Sequence, residues 1–169
     1  DLAIRFNSLY GATFVVPEPI IKKEGARLMG LDDPSKKMSK SATSSFNYIS
    51  LLDDPEIAKK KIMKAVTDSG TEIKYSADRP ALSNLLTIYS LLSNEKISEI
   101  EKKYIGRGYG DFKKDLAEIV ANFLIDFQKK FNKISDKDVK DILDKGAKSA
   151  SKIAEKKMEE VKEKIGIKI

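Results

Sequence analysis

The residues with the clearest capacity for chemistry are Lys37-Met38-Ser39-Lys40-Ser41. Two ammonium groups stand three residues apart, with serine hydroxyls between and after them. A loop of this composition can wrap a polyphosphate. Lysine brings a mobile point charge, and serine adds hydroxyl and backbone N–H donors. Phosphoryl and nucleotidyl transfers need such charge where a departing pyrophosphate grows more negative. The competing reading is a solvated loop, since 28 of the 32 basic residues are lysine.

What surrounds the motif limits the chemistry further. There is no histidine and no cysteine. Imidazole bases, histidine metal ligands, Ser-His-Asp catalysis, disulfides and thiolate metal sites are all excluded from this sequence. Chemistry here falls to lysine, carboxylate or hydroxyl groups. Hydrophobic residues make up 41% and charged residues 34% of 169 residues, a globular composition with a wet surface. No apolar run approaches the ~18 residues of a membrane span. No signal-peptide pattern is visible, and a cytoplasmic location with no membrane partner is expected. The net charge of +6 is uneven: residues 129 to 169 hold 13 lysines against 8 acids. A basic tail hints at a polyanionic partner, although a lysine-rich composition explains it as well.

The elements that must position the motif are mostly helical. Asp1-Leu2-Ala3-Ile4-Arg5-Phe6 reads as a helix already under way, as in a cut fragment, with Leu2, Phe6, Leu9 and Tyr10 at helical spacing and Gly11 as its stop. Phe14-Val15-Val16 before Pro17 reads as extended. Ala26 to Leu31 is a candidate strand, followed by a loop from Asp32 to Ser45. That loop is small, polar and like-charged, and mobility without a bound anion is expected of it. Asp54-Pro55 caps a helix with Ala58, Ile62, Ala65 and Val66 on one face. Pro80 opens a strongly apolar helix through Leu82, Leu85, Leu86, Tyr89 and Leu92. Ile97, Ile100 and Tyr104 suggest a short helix. Phe112, Leu116, Ile119, Val120, Phe123, Phe127 and Phe131 form a long stripe, read as core rather than as a base-stacking platform. Ser135 with Asp138 forms a capping box for a last helix or helix pair, with a possible break at Gly146. Gly106-Arg107-Gly108-Tyr109-Gly110 follows a helix rather than a strand and reads as an interhelical turn. A lone strand makes no sheet, so residues 1 to 31 want partners from outside this sequence.

KMSKS is a signature of class I aminoacyl-tRNA synthetases, and the surroundings resemble the tryptophanyl-tRNA synthetases of bacterial type. Gly25-Ala26-Arg27-Leu28-Met29 leads into the motif as in that family. Leu51-Leu52-Asp53-Asp54, Ala65-Val66-Thr67-Asp68-Ser69, Ser83-Asn84-Leu85-Leu86-Thr87-Ile88-Tyr89 and Gly108-Tyr109-Gly110-Asp111-Phe112-Lys113 follow in its order and spacing. The resemblance runs from Asp1 to about Gly166 and identifies the chain with the C-terminal half of such a protein.

The resemblance implies a mainly α chain. Residues 1–45 would be the remnant of a Rossmann-like α/β nucleotide-binding domain carrying the KMSKS loop. Residues 46–134 would be a helical bundle of the anticodon-binding kind, and 135–169 a C-terminal helix returning towards the catalytic domain. It implies tryptophan activation by ATP with Mg²⁺ and transfer to tRNA(Trp), in a full-length enzyme that is a homodimer. Lys37 and Lys40 align with lysines that contact ATP phosphates and stabilise the first transition state. Met38, Ser39 and Ser41 complete the loop, and Leu28 aligns with a residue flanking adenine through its backbone. Thr67-Asp68-Ser69 reads equally as a loop near tRNA and as a helix end. Two departures stand out. Ala42-Thr43 replaces the aspartate and proline usual after KMSKS, and no histidine is available for a HIGH-type motif. The alternatives are a fragment of a tyrosyl-type synthetase and a helical RNA-binding module without catalysis.

Overall fold

The computed structural model describes residues 1–21 and 25–167; Lys168, the last lysine of the basic tail, lies outside them. The chain is mainly α: α1 (Leu2–Tyr10), α2 (Pro55–Lys64), α3 (Pro80–Ser93), α4 (Ile97–Lys103), α5 (Tyr109–Phe131) and α6 (Asp136–Lys164). No β-strand forms among the described residues. The strand expected over 26–31 is reduced to an isolated antiparallel bridge between Met29 and Lys37. A strand needs neighbours to satisfy both its edges, and too few backbone groups are at hand here to extend the bridge.

The chain divides into two compact units, residues 21–133 and residues 1–20 with 134–169. In the first, α2 and α3 pack on α5, and α3 also packs on α4. Each helix starts where its sequence supplies a stop for the preceding chain. Asp54 accepts from the Glu56 and Ile57 N–H groups, with Pro55 at the first helical position. Pro80 plays the same part in α3. The shared core is built from Ile62, Leu82, Leu85, Leu86, Ile100, Leu116 and Leu124, with Tyr89, Tyr104 and Phe112 in mutual ring contact. Burial of Tyr104 is made tolerable by its hydroxyl, which donates to Asp115 at 2.6 Å.

Lysine does structural work in this unit. Lys61, almost wholly buried, donates to Asp53 at 2.5 Å and to the Tyr48 carbonyl at 3.0 Å. Lys113 donates to the Ala65 carbonyl at 2.6 Å and so caps the end of α2, with burial pushing its ammonium below the usual lysine range. Gln128 of α5 donates to the Leu51 and Asp53 carbonyls at 3.0 and 2.8 Å, holding the turn before α2.

Several helical details differ from their sequence expectation. Val66 lies beyond the end of α2 and is exposed. The stripe on α5 is core only at Phe112, Leu116 and Val120; Phe123 and Phe131 are exposed, and Phe127 stacks between them. The stripe outruns the elements packed on it. Gly146 does not break α6, which runs unbroken for 29 residues from the Ser135–Asp138 capping box. The ~1 kcal/mol cost of a helical glycine is met by a long run of good helix formers on both sides.

In the second unit, Asn7 folds the end of α1 over the following segment. It accepts from the Thr13 and Phe14 N–H groups at 3.0 and 2.8 Å and donates to the Phe14 carbonyl at 2.7 Å. From α6, Lys157 donates to the Thr13 carbonyl at 2.6 Å, and Lys164 to the Ala12 carbonyl at 2.8 Å. Leu2, Val15 and Ile20 are each at least 88% exposed, so this unit shows more bare apolar side chains than a settled surface needs.

Thr67-Asp68-Ser69 belongs to a polar knot between helices. Arg79 grips Asp68 through Nε at 2.8 Å and Nη2 at 3.0 Å, and the Tyr109 hydroxyl bonds to both. The bidentate guanidinium, then the Tyr109 hydroxyl, hold the Asp68 carboxyl well below its usual range. A depressed carboxyl contributes stability in full above the unfolded value of about 3.9 and loses it as pH falls through the folded one. Asp68→Asn should therefore lower the urea midpoint at pH 7, and its deficit against wild type should shrink below about pH 3.9. A deficit independent of pH in urea titrations would show that the pair contributes no such linkage.

Candidate KMSKS nucleotide site

The KMSKS segment begins at a narrow ribbon. The Gly30 N–H donates to the Lys36 carbonyl at 2.8 Å, and the Met38 N–H to the Leu28 carbonyl at 2.9 Å. These bonds close a turn in which Asp33 accepts from Ser35 and pairs with Lys36 at 2.9 Å. Hydrogen bonds from Ser35 first, then Lys36, hold the Asp33 carboxyl at about 2. Lys36, the first lysine of the run, is thereby already neutralised.

Three residues that sequence reasoning did not single out as functional fix this ribbon. Buried Asn84 on α3 accepts from the Met29 N–H at 2.8 Å and donates to the Met29 carbonyl at 2.8 Å. Buried Asn47 accepts from the Ser39 N–H at 3.0 Å and donates to Asp32 at 2.6 Å. That donation lowers the Asp32 carboxyl. The Asn47 carbonyl also accepts from the Leu31 N–H at 2.9 Å. Gly30 gives Asn47 room: a Cβ there would stand 2.2 Å from Asn47 Nδ2 and 2.9 Å from the Asp33 carbonyl oxygen. The available signal was a polar Ser83-Asn84 pair inside an otherwise apolar helix, a buried amide that demands partners.

The motif residues divide accordingly. Met38 turns inward and packs on the core beside Leu28, lining an apolar cleft of about 160 Å³ with Ile49, Leu92, Phe123 and others. Ser39 is tied through its backbone to Asn47, and its hydroxyl lies 3.2 Å from that of Ser41. Lys37 and Lys40 are exposed, and their ammonium groups have no ion pair or hydrogen bond among the described residues. The arrangement sets one apolar anchor, one backbone tie and two unpaired cations within four residues. Leu28, expected to use its backbone, spends its carbonyl on Met38. Ala42-Thr43 continues the turn, the Ala42 N–H donating to the Ser39 carbonyl at 3.1 Å. Within 32–45 the base is held by Asn84 and Asn47, and the tip is tied by the Ala42 bond to Ser39 and by a hydrogen bond from Ser44 to Asp32.

The close approach at Gly30 leads to a test. Gly30→Ala should cost about 1–3 kcal/mol, the range for overpacking a closed site, because backbone at Asp33 as well as the Asn47 amide must shift. Urea unfolding measures it; a change under about 0.5 kcal/mol would mean that the ribbon has slack.

Comparisons with known proteins give the chain a family. Residues 1–125 match the family described as tRNA synthetases class I (W and Y). The chain is 49% identical over 168 residues to the tryptophan–tRNA ligase of Caldanaerobacter subterraneus subsp. tengcongensis, covering 99% of this chain and 51% of the relative. Among solved structures, the tryptophanyl-tRNA synthetase from Mycoplasma pneumoniae superposes with a TM-score of 0.91 at 30% identity, over 99% of this chain and 51% of that one. The enzyme from Campylobacter jejuni complexed with ADP and tryptophan gives 0.66 at 34% identity, over 98% and 51%. The chain spans about half the length of the relatives it matches. With the family match extending over well more than half of its residues, and with the KMSKS ribbon inside the matched span, the chain belongs to the class I tRNA synthetases of the W and Y family.

Proposed function

We propose that this chain is the C-terminal half of a tryptophan–tRNA ligase and supplies the pyrophosphate-side loop of its ATP site. The observation that carries this is the division within the motif: Met38 anchored, Ser39 tied, and the Lys37 and Lys40 ammonium groups unpaired among the described residues. The named relatives support tryptophan over tyrosine. The complex of the Campylobacter jejuni relative with ADP and tryptophan supports ATP and tryptophan as ligands.

In this reading, tryptophan attacks the α-phosphate of ATP, giving tryptophanyl-adenylate and pyrophosphate, and the tryptophan is then passed to tRNA(Trp). Mg²⁺ enters with ATP as part of the substrate. The catalytic role falls to Lys37 and Lys40, with Ser39, Ser41 and the Leu28 backbone completing the nucleotide contacts. Residues 1–45 are then what this chain holds of a Rossmann-like domain, and 46–134 a helical anticodon-binding-like domain. Residues 135–169 would carry the returning C-terminal helix of that family; within its own unit, α6 is bonded through Lys157 and Lys164 to residues 12–13. The bare apolar side chains of Leu2, Val15 and Ile20 suit burial against the rest of the enzyme. A cytoplasmic homodimer is the expected setting.

Two predictions follow from charge. The 169-residue chain alone should not exchange pyrophosphate into ATP with tryptophan, because it has no histidine for a HIGH-type motif; clear turnover by the pure chain would contradict the reading. In the full-length enzyme, Lys40→Ala should lower the adenylation rate by about 10²–10³, the usual loss of one donor to transition-state charge, with the KM for tryptophan little changed. The ground-state triphosphate is already partly neutralised by Mg²⁺, whereas negative charge grows on pyrophosphate as its bond to the α-phosphate breaks. Pre-steady-state adenylate formation is the measurement. A rate constant within about threefold of wild type, under ~1 kcal/mol, would reduce Lys40 to part of a lid.

A further inference from the structure

We propose that Asn84 is a positioning residue for the KMSKS loop: its carboxamide stands in for a missing β-strand and makes the loop's place a function of where α3 lies. The proposal rests on the ATP-site reading given above.

The geometry is that of a sheet edge. Along an extended segment successive residues direct their N–H and C=O groups to opposite sides. Leu28 spends its carbonyl on Met38, and Gly30 its N–H on Lys36. Met29 therefore directs its own pair the other way, where no strand exists among the described residues. Asn84 meets that pair with both ends of one amide, accepting from the N–H at 2.8 Å and donating to the carbonyl at 2.8 Å. The two residues are 55 apart in sequence. The two bonds together are not replaceable by a side chain with only a donor or only an acceptor.

Asn84 is itself enclosed. It lies on α3 between Leu82, Leu85 and Leu86, each no more than 1% exposed, and is 8% exposed itself. The neighbouring Ser83 is committed elsewhere, its hydroxyl donating to the Ser76 carbonyl at 2.7 Å. The loop's lead-in is thus fastened to the most buried helix of the unit, while Lys37 and Lys40 stay free to meet an anion. Asn84 does not touch the reacting atoms in this scheme. It acts through Met29, whose bridge partner is Lys37.

The test uses the full-length protein with Asn84→Ala and the near-isosteric Asn84→Leu, which loses both bonds to Met29 without adding a charge. Ile100→Val, a buried change on α4, controls for general loosening. Two readouts are taken. Amide hydrogen exchange should rise at least tenfold in peptides covering 28–40 for both Asn84 variants, with peptides from α2 and α5 unchanged, and should not rise selectively there for Ile100→Val. Adenylate formation should fall at least tenfold in kcat for both Asn84 variants, with the dissociation constant for tryptophan within twofold of wild type. Unchanged exchange over 28–40, or an adenylation rate within twofold of wild type despite altered exchange, overturns the proposal. If Asn84→Ala does not fold, Asn84→Leu alone decides. If the unsubstituted full-length protein forms no tryptophanyl-adenylate, the functional reading fails, and the exchange measurement still decides whether Asn84 places the loop.

Discussion

A loop that handles a polyphosphate faces two opposed demands: its cations must stay unpaired, and its backbone must be held in place. The bond pair between Asn84 and Met29 resolves much of that conflict here. Ordinarily a β-sheet holds such a segment, each strand satisfying the next. Among the described residues this chain has only a bridge, and a bridge leaves one edge open. Closing that edge with a side-chain amide from a buried helix takes up no charge. A lysine or carboxylate in the same place would have altered the field around the motif. Asn47 repeats the device on the far side, holding the Ser39 N–H with a neutral acceptor.

The distribution of lysine shows the same logic. Lys61 is buried against Asp53, Lys59 bridges Glu56 and Glu118, Lys113 caps α2, and Lys36 is bound to Asp33. Each has a partner within 3 Å or so of its ammonium group. Lys37 and Lys40 differ from these by their surroundings rather than by their residue type. Composition alone could not separate a structural lysine from a functional one. Lack of a partner does not make the separation, since Lys60, Lys74 and Lys114 also have none among the described residues; what sets Lys37 and Lys40 apart is their place beside the packed Met38 and the tied Ser39.

The helices were legible because their signals are local. Asp54-Pro55, Pro80 and the Ser135–Asp138 box each mark a start through groups within three residues. The motif was legible because its five residues are contiguous. The ribbon was not, because its bonds join Met29 to Asn84 and Ser39 to Asn47, and spacing along the chain carries no trace of such pairs. The misread α5 stripe has a related cause. Helical periodicity identifies a face, but whether Phe123 and Phe131 are covered depends on how far α2 and α3 extend beside it. Ser83-Asn84 was the readable exception, a polar pair where only apolar residues would be comfortable.

Magnitudes decide where a loop so held can give way. Each neutral hydrogen bond of the ribbon is worth about 0.5–1.5 kcal/mol net. Moving the ribbon off α3 would break both Asn84 bonds together and uncover Met38 from its apolar cleft. Burying such a side chain contributes roughly 1.5–3 kcal/mol more. Displacing residues 40–44 leaves the Asn84 bonds and Met38 in place, and breaks the Ala42 bond to the Ser39 carbonyl and the Ser44 hydrogen bond to Asp32. On the ATP-site reading proposed above, a growing pyrophosphate charge that gains about 3–4 kcal/mol from one well-placed donor draws in the tip at less cost than the ribbon. The hinge therefore falls between Ser39, tied by Asn47, and Lys40. Lys40 moves with the tip, and Lys37 stays with the ribbon and so with α3. On the proposed reading, two lysines three residues apart divide the work: Lys37 marks where the phosphates belong, and Lys40 follows them as they leave.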